Sequence, residues 1–183
     1  MNSRTHDNPA IPGRRRNTSR GFTLIELLVV LLLGAVLAAA AAHYFHQRRL
    51  TRRCAEQLWK IYTALEMYEI DRGTLPRLSF FPNDPKQGAD SLVKVILPYT
   101  AEPDLTVCPA TPAAQRDLGL TYVWNVENNG RKLHPPGVPK WMLVEIQALS
   151  ESVPPPHQGR YHILYTDGQV ELSRNPPPDL RRL

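Results

Sequence analysis

The feature that most restricts this chain is an apolar stretch near its start. The 21 residues from Phe22 to Ala42 contain one ionisable side chain, that of Glu26. A helix of that length extends about 32 Å at 1.5 Å per residue, which is enough to cross the hydrocarbon core of a bilayer. An ordinary secretory signal peptide has a shorter apolar region of about 7 to 15 residues. We therefore predict that residues 22–42 form a transmembrane helix.

The residues before this stretch are strongly basic. Residues 1–21 contain five arginines and one aspartate and so carry +4 of the formal net charge of +5, which leaves about +1 for residues 22–183. Because basic residues favour the cytoplasmic side of a membrane segment, we expect a cytoplasmic leader at residues 1–21 and export of the rest. Because residues 22–183 are nearly neutral, the net charge of the chain is no longer an argument for binding to a polyanion, and we expect no nucleic acid partner.

Glu26 is the anomaly in the apolar stretch. An ionised carboxylate costs about 2.5 to 3.5 kcal/mol at the centre of a membrane helix and less near its end. A cut after Gly21 would create a free amino group on Phe22, four residues before Glu26, where the positive end of the helix dipole also favours an anion. That amine could pair with Glu26 of the same chain or of a neighbouring chain, and the sequence leaves both arrangements open.

The segment Arg-Gly-Phe-Thr-Leu-Ile-Glu at residues 20–26 resembles the prepilin cleavage and methylation motif of type IV pilins and type II secretion pseudopilins. The resemblance implies that a membrane peptidase cuts between Gly21 and Phe22 and methylates the new Phe22 amine. It also implies that Glu26 is the assembly carboxylate, which pairs with the amino terminus of an adjacent subunit. The alternatives are a plain signal anchor with an accidental glutamate and ordinary signal cleavage near Ala42.

Apolar side chains recur at helical spacing beyond the membrane segment. We therefore predict that residues 43–72 continue the same helix in amphipathic form. Gly73 offers a left-handed cap and Pro76 prevents continuation, so the helix should end near Arg72. The apolar stripe consists of Leu50, Cys54, Leu58, Ile61, Leu65 and Tyr68.

Residues 73–173 are predicted to form an exported α+β domain. A short helix, capped by Asp90 and ending near Pro98, precedes four strand candidates rich in β-branched and aromatic residues. The dipeptide Asp167-Gly168 predicts a two-residue type I′ turn between the last two strands. We expect the long helix to lie across one face of a small antiparallel sheet, and a Pro- and Arg-rich solvated tail at residues 174–183. The strand candidates are residues 120–126, 141–146, 161–166 and 169–172.

The two cysteines are candidates for a disulfide. Cys54 and Cys108 both follow the membrane segment, so an exported chain would place them in an oxidising compartment. A bond that closes a loop of this length contributes a few kcal/mol, and two buried free thiols are the alternative.

A second resemblance lies near the carboxy terminus. His157, nine intervening residues and Asp167-Gly168 resemble the His-x9-Asp-Gly signature of a large group of pilin-like proteins. A cysteine in the long helix and a Cys-Pro dipeptide, here Cys108-Pro109, are common in the same group. These residues are candidates for a signature hairpin, and the sequence alone assigns them no further role.

Nothing in the sequence indicates an enzyme or a cofactor. There is no Gly-rich phosphate loop, no HExxH motif and no clustered Cys/His zinc spacing. The acidic, Gly-rich calcium loop of the major secretion pseudopilin is not evident, so a structural calcium ion is unsupported. His43 and His46 lie three apart on the predicted helix, and we interpret them as interfacial polar residues rather than a metal pair.

The resemblances imply a structural subunit, a pseudopilin or minor pilin. We expect a single-pass protein of the inner membrane whose carboxy-terminal domain lies in the periplasm and which assembles into a filament. The implied partners are the prepilin peptidase, other pilin-like subunits through the amino-terminal helix, and an assembly platform. The alternatives are a membrane-anchored or secreted binding module or enzyme, and a DNA-uptake pilus subunit. The sequence does not identify the secretion or pilus system, the cargo, or whether the subunit is major or minor.

Overall fold

A computed structural model describes residues 22–134 and 136–180. The predicted leader, with Gly21, lies outside the described residues. The longest element is helix α1, Leu24–Arg72, which runs for 49 residues. The chain forms two compact units that divide between Ala40 and Ala41.

The first half of α1 is apolar on every side. It contains an 18-residue window with a mean hydropathy of 2.7, and none of that window is buried. Leu24 is 83% exposed and Leu37 is 70% exposed, whereas large apolar side chains in water-soluble domains are mostly buried. Exposed apolar surface of this extent requires lipid or other apolar helices around it. This part of α1 therefore fits the predicted membrane anchor.

Helix α1 ends at Arg72, as predicted. Gly73 has a φ of 83°, in the left-handed region that glycine adopts without a steric penalty. Its backbone N–H donates to the Glu69 carbonyl oxygen at 2.6 Å and so satisfies one of the last carbonyls of the helix. Pro76 follows shortly after, at a position where a helix cannot resume easily.

The sheet has four antiparallel strands in the order β1-β2-β3-β4. All four predicted strands are present, and the α+β prediction is confirmed. The first strand is shorter than predicted because residues 126–128 form a 3-10 turn, in which the Asn125 side chain accepts the Glu127 N–H at 3.0 Å. The strands are β1 Tyr122–Trp124, β2 Trp141–Glu145, β3 Tyr161–Tyr165 and β4 Val170–Ser173.

The second half of α1 packs on one face of this sheet, which we call the inner face. Trp124 of β1 lies opposite Leu143 of β2, and Leu143 lies opposite Leu164 of β3. All three belong to one buried cluster with the stripe of α1 that the sequence predicted. The helix contributes the buried residues Cys54, Leu58, Ile61, Tyr62, Ala64 and Leu65.

The other face of the sheet, the outer face, is also covered. Val123, Val144 and Ile163 form a second buried cluster there, and Leu180 from the carboxy-terminal segment is part of it. The prediction that residues 174–183 are a solvated tail is therefore wrong for Leu180, which is only 4% exposed. Strands that are apolar on both faces need cover on both, and Pro177 and Leu180 are the buried residues of this segment within the described range.

Two short helices lie between α1 and the sheet in the sequence. Helix α2, Leu92–Ile96, is capped by Ser91, whose hydroxyl oxygen accepts the Val93 N–H at 3.3 Å. The predicted cap, Asp90, is wrong by one residue, because its carboxylate instead accepts a hydrogen bond from the Ser79 hydroxyl. The remaining short elements are α3 Ala113–Arg116 and the 3-10 segments Leu97–Tyr99, Val126–Asn128 and Ile146–Leu149.

The turn between β3 and β4 also differs from its prediction. A type I′ turn requires positive φ at both central residues, but Gly168 has a φ of 82° whereas Asp167 does not have positive φ. The Gly168 N–H donates to the Tyr165 carbonyl at 3.0 Å, and the Tyr165 N–H donates to the Gln169 carbonyl at 2.9 Å. The loop therefore has three residues, a tight turn that ends in a left-handed glycine.

Candidate functional site

The first site lies at the start of α1, where Thr23 and Glu26 form a reciprocal pair. The Glu26 carboxylate accepts the Thr23 backbone N–H at 3.4 Å, and the Thr23 hydroxyl oxygen accepts the Glu26 backbone N–H at 3.3 Å. This arrangement is a capping box, in which each side chain satisfies a backbone donor that the helix leaves without a partner. The Thr-x-x-Glu spacing signals it, although this capping role of Glu26 was not predicted from the sequence.

The capping box changes how the predicted role of Glu26 is understood. In the uncut chain the Phe22 nitrogen belongs to a peptide bond, so the predicted ion pair requires cleavage first. The carboxylate already points at the backbone of Thr23, one residue from that nitrogen. Cleavage would therefore create an amine next to a carboxylate that the helix has oriented in advance. The bond between Gly21 and Phe22 itself lies outside the described residues.

The second site is a buried cluster between α1 and the sheet, and it begins with a disulfide. The structure joins Cys54 of α1 to Cys108, with Cα atoms 5.2 Å apart. Both residues are fully buried. The bond links the long helix to the loop before β1, and its two cysteines are 54 residues apart in the chain.

Beside the disulfide lies the carboxylate of Glu145, which is completely buried at the end of β2. Its Oε1 atom is 2.6 Å from His157 Nε2 and 3.2 Å from His162 Nδ1. Its Oε2 atom accepts the His162 backbone N–H at 3.0 Å. Glu145 was not among the site residues predicted from the sequence. The available signal was a lone charge in the otherwise apolar strand Trp-Met-Leu-Val-Glu.

The two histidines reach Glu145 from different segments. His157 begins a tight turn, in which its N–H donates to the Arg160 carbonyl at 3.3 Å, whereas His162 lies on β3. Their rings meet edge to face with centroids 4.3 Å apart. The Nε2 atom of His157 also lies 3.5 Å from the Cys108 sulfur. The disulfide, the carboxylate and both imidazoles therefore form one contiguous buried group.

The electrostatics of this group favour an ionised carboxylate. Burial by itself would raise the pKa of Glu145, but the hydrogen bonds from His157 and His162, together with their charges, outweigh burial and hold that pKa below its usual range. Tyr122 lies directly opposite Glu145 on β1. Burial, and secondarily the Glu145 charge, raises the pKa of its phenol well above the usual value, so Tyr122 stays protonated.

The structure separates the residues of the predicted signature hairpin. His157 precedes β3 and Asp167 follows it, so the two lie at opposite ends of that strand. Asp167 accepts the Gln169 N–H at 3.0 Å within the turn. A Cβ atom on Gly168 would lie 3.0 Å from the Tyr62 ring of α1. One end of β3 therefore carries the buried hydrogen bond between His157 and Glu145, and the other end carries a close contact between the turn and α1.

A solvent-open groove lies beside the buried cluster. Arg48 and Arg52 of α1 line it, together with Arg160 and Gln158, next to the buried His157. Arg48 also stacks on the Tyr44 ring at 4.9 Å from its centroid. The carboxylate of Glu145 does not reach this groove, because its side chain has no exposed surface.

Comparison with known proteins adds one finding about the amino-terminal site. The family described as the prokaryotic N-terminal methylation motif matches residues 16–42. No curated protein and no solved structure matches the chain. The long helix packed on a four-stranded antiparallel sheet is an α+β arrangement like that of pilins, and the apolar first half of the helix fits a membrane anchor. The methylation motif supports a more specific class, a type IV pilin-like prepilin.

Proposed function

We propose that this chain is a structural subunit, a pseudopilin or minor pilin, of a filament that assembles at the inner membrane. The observation that carries the proposal is the methylation-motif match over residues 16–42, which contains Gly21, Phe22 and Glu26. The exposed apolar half of α1 supports it, because such a surface needs apolar partners outside the domain.

The proposed mechanism begins with insertion of the apolar helix, with the leader in the cytoplasm. A prepilin peptidase then cuts between Gly21 and Phe22 and methylates the new amine. The freed amine lies close to the carboxylate that the capping box orients, and the same carboxylate can pair with the amine of an adjacent subunit. In the low dielectric of packed helices, an unpaired Glu26 is costly, so pairing sets the position of each added subunit.

The second half of α1 and the sheet act as a folded domain on the exported side, in the periplasm. We propose a structural rather than a catalytic role for this domain. The supporting observation is that Glu145 and His157, which form an acid–base pair, have no exposed side-chain surface from which they could reach a substrate. A filament subunit of this kind works through packing against other subunits and against an assembly platform.

Processing can be tested by mass spectrometry of the chain expressed with and without a prepilin peptidase. We expect the mature protein to begin with methylated Phe22 only when the peptidase is present. Gly21→Ala should slow cleavage strongly. Gly34→Ala is the matched control, because a Cβ atom at Gly34 meets nothing within 4 Å. A mature chain that starts near His43, or one that keeps Met1, would overturn the proposal.

A further inference from the structure

The buried cluster unites the donor types that a zinc ion prefers. The sulfurs of Cys54 and Cys108, a carboxylate oxygen of Glu145 and a nitrogen of His157 all lie within 4.8 Å of one another, and all four residues are buried. Two sulfurs, one imidazole and one carboxylate are ligands that zinc takes in tetrahedral sites. Around such an ion, neighbouring donor atoms lie about 3.3 to 3.8 Å apart. The bonded sulfurs must therefore separate on reduction, and the His157 nitrogen must move away from the Glu145 oxygen, which lies 2.6 Å from it.

We propose that the chain with both cysteines reduced binds one Zn²⁺ through Cys54, Cys108, Glu145 and His157, and that the disulfide replaces the ion on oxidation. Thiolates bind metals and disulfide sulfurs do not, so the two states exclude each other. Every chain is synthesised with thiols, and so the zinc-binding state needs no added reductant. Either link connects α1 to the loop that carries Cys108.

Hydrogen bonds from His162 already hold the Glu145 carboxylate in a fixed orientation, as is common for side chains that bind a metal. The His162 N–H holds Oε2 of Glu145 at 3.0 Å, and His162 Nδ1 lies 3.2 Å from Oε1. Contacts of this kind orient the groups that bind a metal and raise its affinity. Zinc displaces the proton between His157 and Glu145 and the two thiol protons, so binding releases protons.

The charge of the site is nearly balanced. Two thiolates and one carboxylate carry three negative charges against the two positive charges of zinc. The arginines at positions 48, 52 and 160 line the groove beside His157. The same arginines repel an incoming cation, so uptake by the folded chain should be slow, and equilibration over hours is part of the test.

Oxidation of the zinc form balances with an external disulfide as the oxidant. The Cys54–Cys108 bond forms, the bond of the external disulfide breaks, and two electrons pass to it. Two protons from solvent convert its sulfurs to thiols. The zinc ion leaves with its charge unchanged, because it has no redox chemistry.

The test uses the full chain in detergent, reduced under anaerobic conditions and titrated with Co²⁺ as a spectroscopic substitute for zinc. We expect one equivalent to bind, with thiolate-to-cobalt charge-transfer absorption and the visible bands of a tetrahedral ion, and Zn²⁺ to displace it. The oxidised chain should bind no Co²⁺ and should show neither the charge-transfer absorption nor the visible bands. Equal binding by the oxidised chain, or no binding by the reduced chain, would overturn the proposal.

Variants distinguish the four-ligand site from adventitious binding by two thiols. Glu145→Gln and His157→Gln should each weaken Co²⁺ binding at least tenfold, while Cys108→Ser should reduce the charge-transfer absorption. Glu56→Gln and His46→Gln are matched controls on α1 that should change nothing. If Glu145→Gln and His157→Gln bind as tightly as the unaltered chain, the proposal is wrong.

Alkylation of the unaltered chain gives a second readout that does not depend on how any variant folds. Zinc should slow alkylation of both Cys54 and Cys108 in the reduced chain at least tenfold, and a chelator should restore the rate. Equal rates with and without zinc contradict the inference.

Discussion

The two halves of α1 share one continuous helix but differ in what surrounds them. In the first half, Leu24 and Leu37 are 83% and 70% exposed, whereas in the second half Leu58, Ile61 and Leu65 have no exposed surface. The second half completes its packing within its own domain. The first half finds no such cover within the described part of the chain, so its partners have to be lipid or other apolar helices.

The carboxylates beside the two halves of α1 also differ in exposure and in their partners. Glu26 in the first half is exposed and contacts Thr23, which lies three residues before it and directly precedes the helix. Glu145, packed against the second half, is enclosed by His157 and His162. One carboxylate therefore remains available for a partner, while the other is fully used within the fold. This difference predicts that mutations at Glu26 affect assembly and that mutations around Glu145 affect stability.

The largest expected effect is loss of assembly in Glu26→Ala. Removing the carboxylate eliminates the proposed pair with the amine of the next subunit, so filaments should be absent while membrane insertion is normal. Electron microscopy and membrane fractionation measure the two. Thr23→Ala sharpens the comparison, because it breaks the capping box at a cost of about 1 kcal/mol but keeps the carboxylate. Filaments should then still form. If Thr23→Ala also abolished filaments, the loss in Glu26→Ala would be explained by the broken capping box and not by a missing pair with the next subunit.

The second expected effect is loss of domain stability when the disulfide is removed. Cys54→Ser should lower the free energy of unfolding by about 4 kcal/mol, because the unfolded chain regains the freedom of the loop between the cysteines. Denaturant unfolding followed by near-ultraviolet circular dichroism measures it. The double variant with Cys108→Ser should be no less stable than either single variant. A further large loss in the double variant would show that the sulfurs contribute separately.

The third expected effect is a pH-dependent loss in Glu145→Gln. Removing the charge from a buried hydrogen-bonded group should cost about 3 kcal/mol at neutral pH. The folded-state pKa of Glu145 lies below its unfolded value of about 4.3, so its contribution is present above that value and is lost as pH falls through the folded pKa. The stability difference between the variant and the unaltered chain should therefore shrink on acidification. A difference independent of pH contradicts the assignment.

The smallest expected effect concerns the turn against the helix. Gly168→Ala should destabilise the domain by about 2 kcal/mol, because the residue has a φ of 82° and its new Cβ would lie 3.0 Å from the Tyr62 ring. Gly73→Ala has a similar φ of 83° but meets nothing within 4 Å. It should cost about half as much, since it introduces strain without the contact. Equal thermal unfolding midpoints for the two variants would rule out a role for Tyr62.

The elements that could be predicted from the sequence are those that depend on neighbouring residues. The apolar run and its continuing stripe predicted α1, and Gly73 with Pro76 predicted its end at Arg72. Runs rich in β-branched and aromatic residues predicted the four strands. The residues that form caps and turns were predicted less accurately. The cap of α2 was assigned to Asp90 instead of Ser91, and the loop at Asp167 has three residues instead of two. In both places, competing side-chain hydrogen bonds decided between adjacent alternatives.

The candidate sites divide in the same way. The motif at Gly21, Phe22 and Glu26 is contiguous, and so it can be read from the sequence alone. The buried group around Glu145 was missed because its members come from α1, a loop, β2 and the turn before β3. The docking of Leu180 on the outer face was missed for the same reason.

The sequence by itself determined that the chain has a membrane-length helix, where that helix ends, and which carboxylate lies beside the predicted cleavage point. These properties follow from hydropathy, helical spacing and adjacent residues. Only the tertiary structure decided that Cys54 meets Cys108 and that Glu145 has two histidines as partners. A buried charge is tolerated only where distant segments supply its hydrogen bonds, and only the folded chain brings those segments together.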